Sequence, residues 1–103
     1  MNETLMNVRL LCDCDGIYDQ RLELIKKSEG TFLVVQAGFG DPRGFEGQDY
    51  LVKSGVERIR SKLAELAKLT FEESEEMGAF VDPSRDQSED FKEMFGWDLE
   101  LRN

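Results

Sequence analysis

Two strand-like segments flank a short turn in the first third of the chain. Residues 18–27 precede the turn at residues 28–30, and the β-branched and aromatic residues 31–36 follow it. Such segments around a short glycine-containing turn predict a β-hairpin. Residues 18–27 also fit a helical stripe, but the neighbouring segment favours a strand. Residues 5–12 alternate between apolar and polar side chains, so the first third predicts a three-stranded antiparallel meander.

An amphipathic helix is predicted over residues 49–69. Its apolar side chains recur at spacings of four, three, four and three residues, which is the helical period. Gly55 lies inside this segment, at a cost on the order of 1 kcal/mol relative to alanine. A glycine-rich segment over residues 38–47 precedes the helix. We predict a loop there, because glycine permits sharp turns. The apolar stripe consists of Val52, Val56, Ile59, Leu63 and Leu66.

Shorter elements are predicted in the last third. Residues 70–73, Thr-Phe-Glu-Glu, match a capping box and predict a second short helix. Ser88 is predicted to cap a helix that runs through Phe95 and stops at Gly96. Residues 97–101 then form a short edge strand. The predicted fold class is one α+β domain over residues 1–103, with a three- or four-stranded antiparallel sheet packed against one long amphipathic helix and short C-terminal helical elements.

Two segments come near to ligand-binding motifs but fail on spacing. Residues 38–44 lie where a dinucleotide-binding turn would lie, yet the third glycine is one residue late and Pro42 occupies the interior. Residues 12–15, Cys-Asp-Cys-Asp, supply too few zinc ligands, because the chain has no other cysteine and no histidine. Counted from Asp13, the closing glutamate of a calcium loop would fall on Leu24. We therefore predict no cofactor and no metal.

The cysteines and the hydropathy pattern bear on the compartment. A disulfide between Cys12 and Cys14 would close a very small, strained loop, so we expect free thiols in a reducing cytoplasm. No apolar segment approaches the roughly 20 residues that span a bilayer. The first eleven residues lack a basic segment followed by a long apolar stretch. We expect a cytoplasmic protein with no secretory signal and no membrane contact.

The chain contains no histidine, which restricts its chemistry. The commonest general base near neutral pH is absent, and Ser–His and Cys–His nucleophile pairs are excluded. Paired carboxylates remain a route to catalysis, so a small carboxylate-dependent enzyme stays as a lesser alternative. Lysine and arginine are scattered and outnumbered, which disfavours binding to a phosphate backbone. We expect neither an enzyme nor a nucleic-acid partner.

Acidic residues are concentrated in the last third. The chain has 22 acidic and 13 basic residues, for a net charge of -9. Residues 71–103 hold eleven acidic and three basic residues, whereas residues 1–70 are nearly neutral. Carboxylates interleaved with large aromatics suit an interface with a basic protein, because the charges steer it and the rings anchor it. The predicted partner-binding residues are Glu72, Glu73, Glu75, Glu76, Asp86, Glu89, Asp90, Glu93 and Trp97. For Phe91, Phe95 and Trp97, a place in the core is at least as good an interpretation, since a helix needs a buried face.

The leading functional hypothesis is a non-enzymatic acidic binding protein. An acidic surface can fill the basic cleft of a nuclease with fast, steered association. A stoichiometric inhibitor or immunity (antitoxin-like) protein that neutralises such a basic partner is therefore our first hypothesis. The alternative is an adaptor or regulatory module that docks through the same acidic and aromatic C-terminal surface.

Overall fold

In the part of the chain that the structure describes, five antiparallel strands form one sheet. The computed structural model describes residues 1–13, 15–40 and 44–102. The strands are β1 (Glu3–Asp13), β2 (Ile17–Lys27), β3 (Gly30–Gly40), β4 (Gly44–Ser54) and β5 (Asp98–Leu101). The first four are joined in sequence as a meander, and β5 returns from the far end of the chain to pair with β4. The predicted three-stranded meander is confirmed, and the strand predicted after residue 96 is the short edge strand β5.

Among the described residues, three helices lie between β4 and β5 in sequence: α1 (Val56–Leu66), α2 (Phe71–Met77) and α3 (Ser88–Phe95). The capping box of α2 is confirmed, because Thr70 accepts a hydrogen bond from the Glu73 amide and the Glu73 carboxylate accepts one from the Thr70 amide. Gly96 ends α3 in the left-handed conformation, at φ 74°. The N-cap of α3 is Gln87, and Ser88 is the first helical residue rather than the cap.

The prediction of three or four strands and one long helix is wrong in detail. The segment predicted as the start of that helix is the second half of β4, and the helix begins only at Val56. Gly55 separates the two elements, because it holds φ at 77°, a left-handed value that a continuous helix cannot contain. The loop predicted over residues 38–47 is also largely strand, since β3 extends to Gly40 and β4 starts at Gly44. Residues 41–43 of that loop lie outside the described residues.

One face of the sheet carries the hydrophobic core. Alternate side chains of the strands point to this face and pack against the apolar stripe of α1, against Phe91 of α3 and against Trp97. The three helices cover this face alone, as is common for antiparallel sheets with one solvated face. Buried core side chains include Leu22, Leu24, Leu33, Val35, Tyr50, Ile59, Leu63, Val81, Phe91 and Trp97.

Two buried amides fix the segment between α2 and α3. The Gln20 side chain accepts hydrogen bonds from the Phe80 and Val81 amides and donates one to the Gly78 carbonyl, at 2.8, 2.9 and 3.1 Å. Gln87 accepts from the Asp82 amide at 2.7 Å and donates to the Phe80 carbonyl at 2.8 Å. These contacts tie the connection to the sheet and so set where α2 and α3 lie.

Candidate interaction surfaces

The four glutamates of α2 are exposed, but they have different roles. Glu73 is occupied by the capping box. Glu72, Glu75 and Glu76 form no hydrogen bond or ion pair within the described part of the chain. Glu75 and Glu76 lie in the last turns of α2, where the helix dipole disfavours negative charge and no basic residue compensates it. Helix stability therefore gives no reason for these two carboxylates.

The acidic residues around α3 also divide by role. Asp86 accepts hydrogen bonds from the amide and the hydroxyl of Ser88, at 2.9 and 2.7 Å, and these bonds lower the pKa of Asp86. Asp90 forms an ion pair with Arg85 at 2.5 Å. Glu89 and Glu93 are exposed and form no internal ion pair among the residues that the structure describes. Asp86 and Asp90 organise the segment, whereas Glu89 and Glu93 are available to a partner.

Trp97 lies in the core rather than on the predicted surface. Its side chain is 1% exposed and packs against Phe91 and Phe95, with ring centroids 5.6 and 4.5 Å away. The left-handed turn at Gly96 leads the chain back into the sheet, which directs this indole inward. The large apolar side chains that are exposed beside the carboxylates are instead Phe71, Met77 and Met94. The sequence left both a surface position and a core position open for Trp97, because an aromatic ring alone does not indicate which face it occupies, and the structure places it in the core.

The acidic residues of α2 and α3 do not form one cluster. α2 packs against β1 and α3 packs against β5, which are the two opposite edges of the sheet. With strands spaced about 4.8 Å apart, these edges lie roughly 19 Å from each other. We use the name acidic helical surface for the five exposed carboxylates of this layer that have no side-chain partner among the described residues: Glu72, Glu75, Glu76, Glu89 and Glu93.

No helix among the described residues covers the opposite face of the sheet, a surface that sequence reasoning did not anticipate. Its side chains form four rows that cross the strands, each row two residues along from the next, as the strand pairing shows. In order along the strands, these are the first apolar row (Leu11, Gly38 and Phe45, with Asp19), the basic row (Arg9, Arg21 and Gln36), the acidic row (Asn7, Glu23, Val34 and Asp49) and the second apolar row (Ile25, Phe32 and Leu51, with Thr4 and Glu100 at its ends). We call this surface the open face.

A buried carboxylate organises the basic row. Asp19 accepts hydrogen bonds from both guanidinium groups, with Arg9 Nη2 at 2.8 Å and Arg21 Nη2 at 3.1 Å from Asp19 Oδ2. Burial alone raises the pKa of Asp19, but the hydrogen bonds and charges of Arg9 and Arg21 outweigh it and lower the pKa overall. Arg21 also lies over the ring of Phe45, 4.6 Å from its centroid. The two arginines are thus fixed in place while their outer edges remain exposed.

A shallow groove of about 430 Å³ runs between the basic row and the acidic row. Arg9 and Arg21 line one side, and Asn7 and Glu23 line the other. Val34 supplies apolar surface within the groove. The open face therefore offers charges of both signs beside apolar side chains, a composition suited to recognition by contact.

Within residues 1–13, 15–40 and 44–102, no group of three or more Cys, Asp or Glu side chains is arranged to hold a metal ion. Cys12 is buried in the core face, and Cys14 lies outside the described residues. No helix in the described part of the chain is long and apolar enough to cross a membrane. Comparison with family models, curated proteins and solved structures finds no match to this chain.

Proposed function

We propose that this chain is a non-enzymatic binding protein that docks a basic protein partner through the acidic helical surface. One observation carries the proposal: five exposed glutamates on α2 and α3 have no partner within the described structure. Residues 71–97 hold nine acidic and two basic residues. Two basic side chains of α1 reach α3, Arg58 at the Gly96 carbonyl and Lys62 over the Phe95 ring, but within the described residues neither pairs with any of the five glutamates. Such a field accelerates encounter with a basic partner and fixes its orientation.

The exposed apolar side chains provide the anchoring that charge alone does not. Phe71 is 48% and Met94 is 49% exposed, and each lies on the same short helix as unpaired carboxylates. Binding energy at interfaces is concentrated in a few buried apolar or aromatic anchors, while surrounding charges give specificity and rate. Phe71 and Met94 therefore take the role that the sequence assigned to Trp97.

The partner class that we favour is a nuclease toxin, with this chain acting as its stoichiometric inhibitor in the cytoplasm. Proteins that act on nucleic acid carry basic clefts, because their affinity for phosphate comes from lysine and arginine. Two acidic helices that pack on edge strands roughly 19 Å apart can contact both walls of such a cleft. An adaptor that docks on another basic protein uses the same surface, and the identity of the captured partner distinguishes the two.

The experiment compares capture of partners by three immobilised proteins from extracts of the cells that make this chain. The first is the unaltered chain, and the second carries Glu→Gln at the five positions of the acidic helical surface. The third, a matched control, loses five negative charges elsewhere through neutral replacements of Glu3, Asp13, Glu29, Glu46 and Glu57, all of them exposed.

We expect a basic protein to bind the unaltered chain and the control but not the second protein. The purified partner should then form a one-to-one complex, and a nuclease partner should lose activity on binding. Equal capture by all three proteins would contradict the proposal, as would the absence of any basic partner.

A further inference from the structure

We propose that the open face binds a second copy of this chain, which forms a two-fold dimer with the sheets packed face to face. The proposal rests on the order of the four rows, which is apolar, basic, acidic, apolar along the strands. Consider a two-fold axis that lies in the plane of the interface and runs across the strands, between the basic and acidic rows. The second copy that this axis generates presents its rows in the reverse order. It places each basic row over the other copy's acidic row and each apolar row over the other apolar row.

Specific side chains meet under this symmetry. Each strand faces its own counterpart, so Arg21 of β2 lies opposite Glu23 of the second copy, and this ion pair occurs twice. On β4, Phe45 lies opposite Leu51 of the second copy. A two-fold interface must be self-complementary in this way, because one surface serves both sides. Sheets that pack face to face lie about 10 Å apart, a distance that arginine and glutamate side chains bridge together.

The groove on the open face supports the same arrangement. The groove of about 430 Å³ runs between the basic and acidic rows, along the axis itself. In the dimer this space receives the second copy's Arg21 and Glu23. The groove thus lies where the packed sheets require room.

The size of the open face matches a modest interface. Four rows spaced by two residues and four strands spaced by about 4.8 Å give a footprint of roughly 20 by 19 Å, or about 800 Å² for both copies. That area is below the standard size of specific complexes, so we expect a weak dimer with a dissociation constant on the order of 100 micromolar. The helical layer stays exposed in this dimer, which leaves the acidic helical surface free.

The test is sedimentation velocity of the full chain over a range of concentrations. Glu23→Arg places a second guanidinium group opposite Arg21 of the other copy, and Phe45→Glu removes an apolar contact from a side chain that is 40% exposed. The matched controls on the helical layer are Glu76→Arg and Phe71→Glu, which make the same chemical changes at exposed positions. Circular dichroism shows whether each variant is folded. If Glu23→Arg does not fold, Phe45→Glu decides the test.

We expect the unaltered chain to shift from its 11.8 kDa monomer to twice that mass as the concentration rises. Each open-face variant should weaken the dimer at least about tenfold. In Glu23→Arg, two guanidinium groups face each other across the interface. In Phe45→Glu, a carboxylate is buried against Leu51 of the second copy. Both controls should dimerise normally. A chain that stays monomeric up to ~1 mM, a concentration scale at which even weak specific contacts bind, would overturn the proposal. So would a dimer that the controls weaken as much as the open-face variants do.

Discussion

Arg9 and Arg21 lie directly opposite each other on β1 and β2, and the Asp19 carboxylate of the adjacent row joins them. Like charges in directly opposed positions destabilise a sheet. The Asp19 side chain is only 8% exposed, so it is held against the two guanidinium groups and offsets that repulsion. This triad is the structural basis of the basic row of the open face.

Replacement of Asp19 by alanine should destabilise the fold. It leaves two opposed arginines without their shared carboxylate, and we expect a loss of roughly 1–3 kcal/mol in the free energy of unfolding. Urea denaturation followed by the fluorescence of Trp97 measures it. Glu23→Gln, on the same strand but with only one long hydrogen bond from Thr4 at 3.4 Å, should change stability far less. Equal effects of the two substitutions would contradict the role of Asp19.

Stability should fall in acid. The pKa values of Asp19, Asp82 and Asp86 are lower in the folded protein than their ordinary value of 3.8. As the pH drops, the unfolded chain therefore binds more protons than the folded protein does. The stabilisation is complete above the pKa of the unfolded chain, and it is lost as the pH falls through the lower pKa values of the folded protein. We expect a nearly constant free energy of unfolding from about pH 5 to 8, and a decline below about pH 4. In Asp19→Asn the decline should be shallower, and an unchanged slope would argue against Asp19 as a contributor.

Gln20 should be essential for the position of the segment between α2 and α3. Gln20→Ala leaves the buried Phe80 and Val81 amides without their acceptor, and we expect a cost of about 2–3 kcal/mol. Hydrogen exchange at these two amides should accelerate more than exchange in β2 and β3. Gln36→Ala, a matched loss of an exposed amide, should leave both measurements near those of the unaltered chain at submicromolar concentration. Uniform acceleration throughout the sheet would show that Gln20 supports the whole core instead.

Trp97 should tolerate phenylalanine far better than alanine. Its indole Nε1 is buried and has no hydrogen-bond partner within the described structure, so Trp97→Phe removes an unsatisfied donor while it keeps an aromatic ring in the cluster. We expect a loss of about 1 kcal/mol for phenylalanine and about 3–5 kcal/mol for alanine. Thermal or urea unfolding followed by circular dichroism provides the comparison. A large loss for phenylalanine would mean that the indole nitrogen is bound to an internal water.

The sequence contained enough information for the meander and the short helices, because alternation, turn residues and capping boxes act locally. It failed at residues 49–54 because Val52 fits both a strand and a helical stripe that continues to Val56. The choice between them comes from pairing with β3 and from the left-handed Gly55. Local periodicity does not specify the partner strand of residues 49–54 or the backbone angle of Gly55.

The candidate surfaces were only partly predictable for a related reason. The exposed glutamates follow from composition, but the burial of Trp97 and the separation of α2 from α3 depend on which sheet edge each helix covers. The four rows of the open face were not visible at all, since each row joins residues that are far apart in sequence. Only the register of the strands brings Arg9, Arg21 and Gln36 together.

The most direct test of the proposed function is zero-length carbodiimide cross-linking of the captured complex, which joins carboxylates to lysines that touch them. The cross-linked peptides are then identified by mass spectrometry. We predict cross-links from Glu72, Glu75, Glu76, Glu89 or Glu93 to lysines of the basic partner. Cross-links to the partner that come from Glu23 and Asp49 of the open face, with none from α2 or α3, would contradict the proposal.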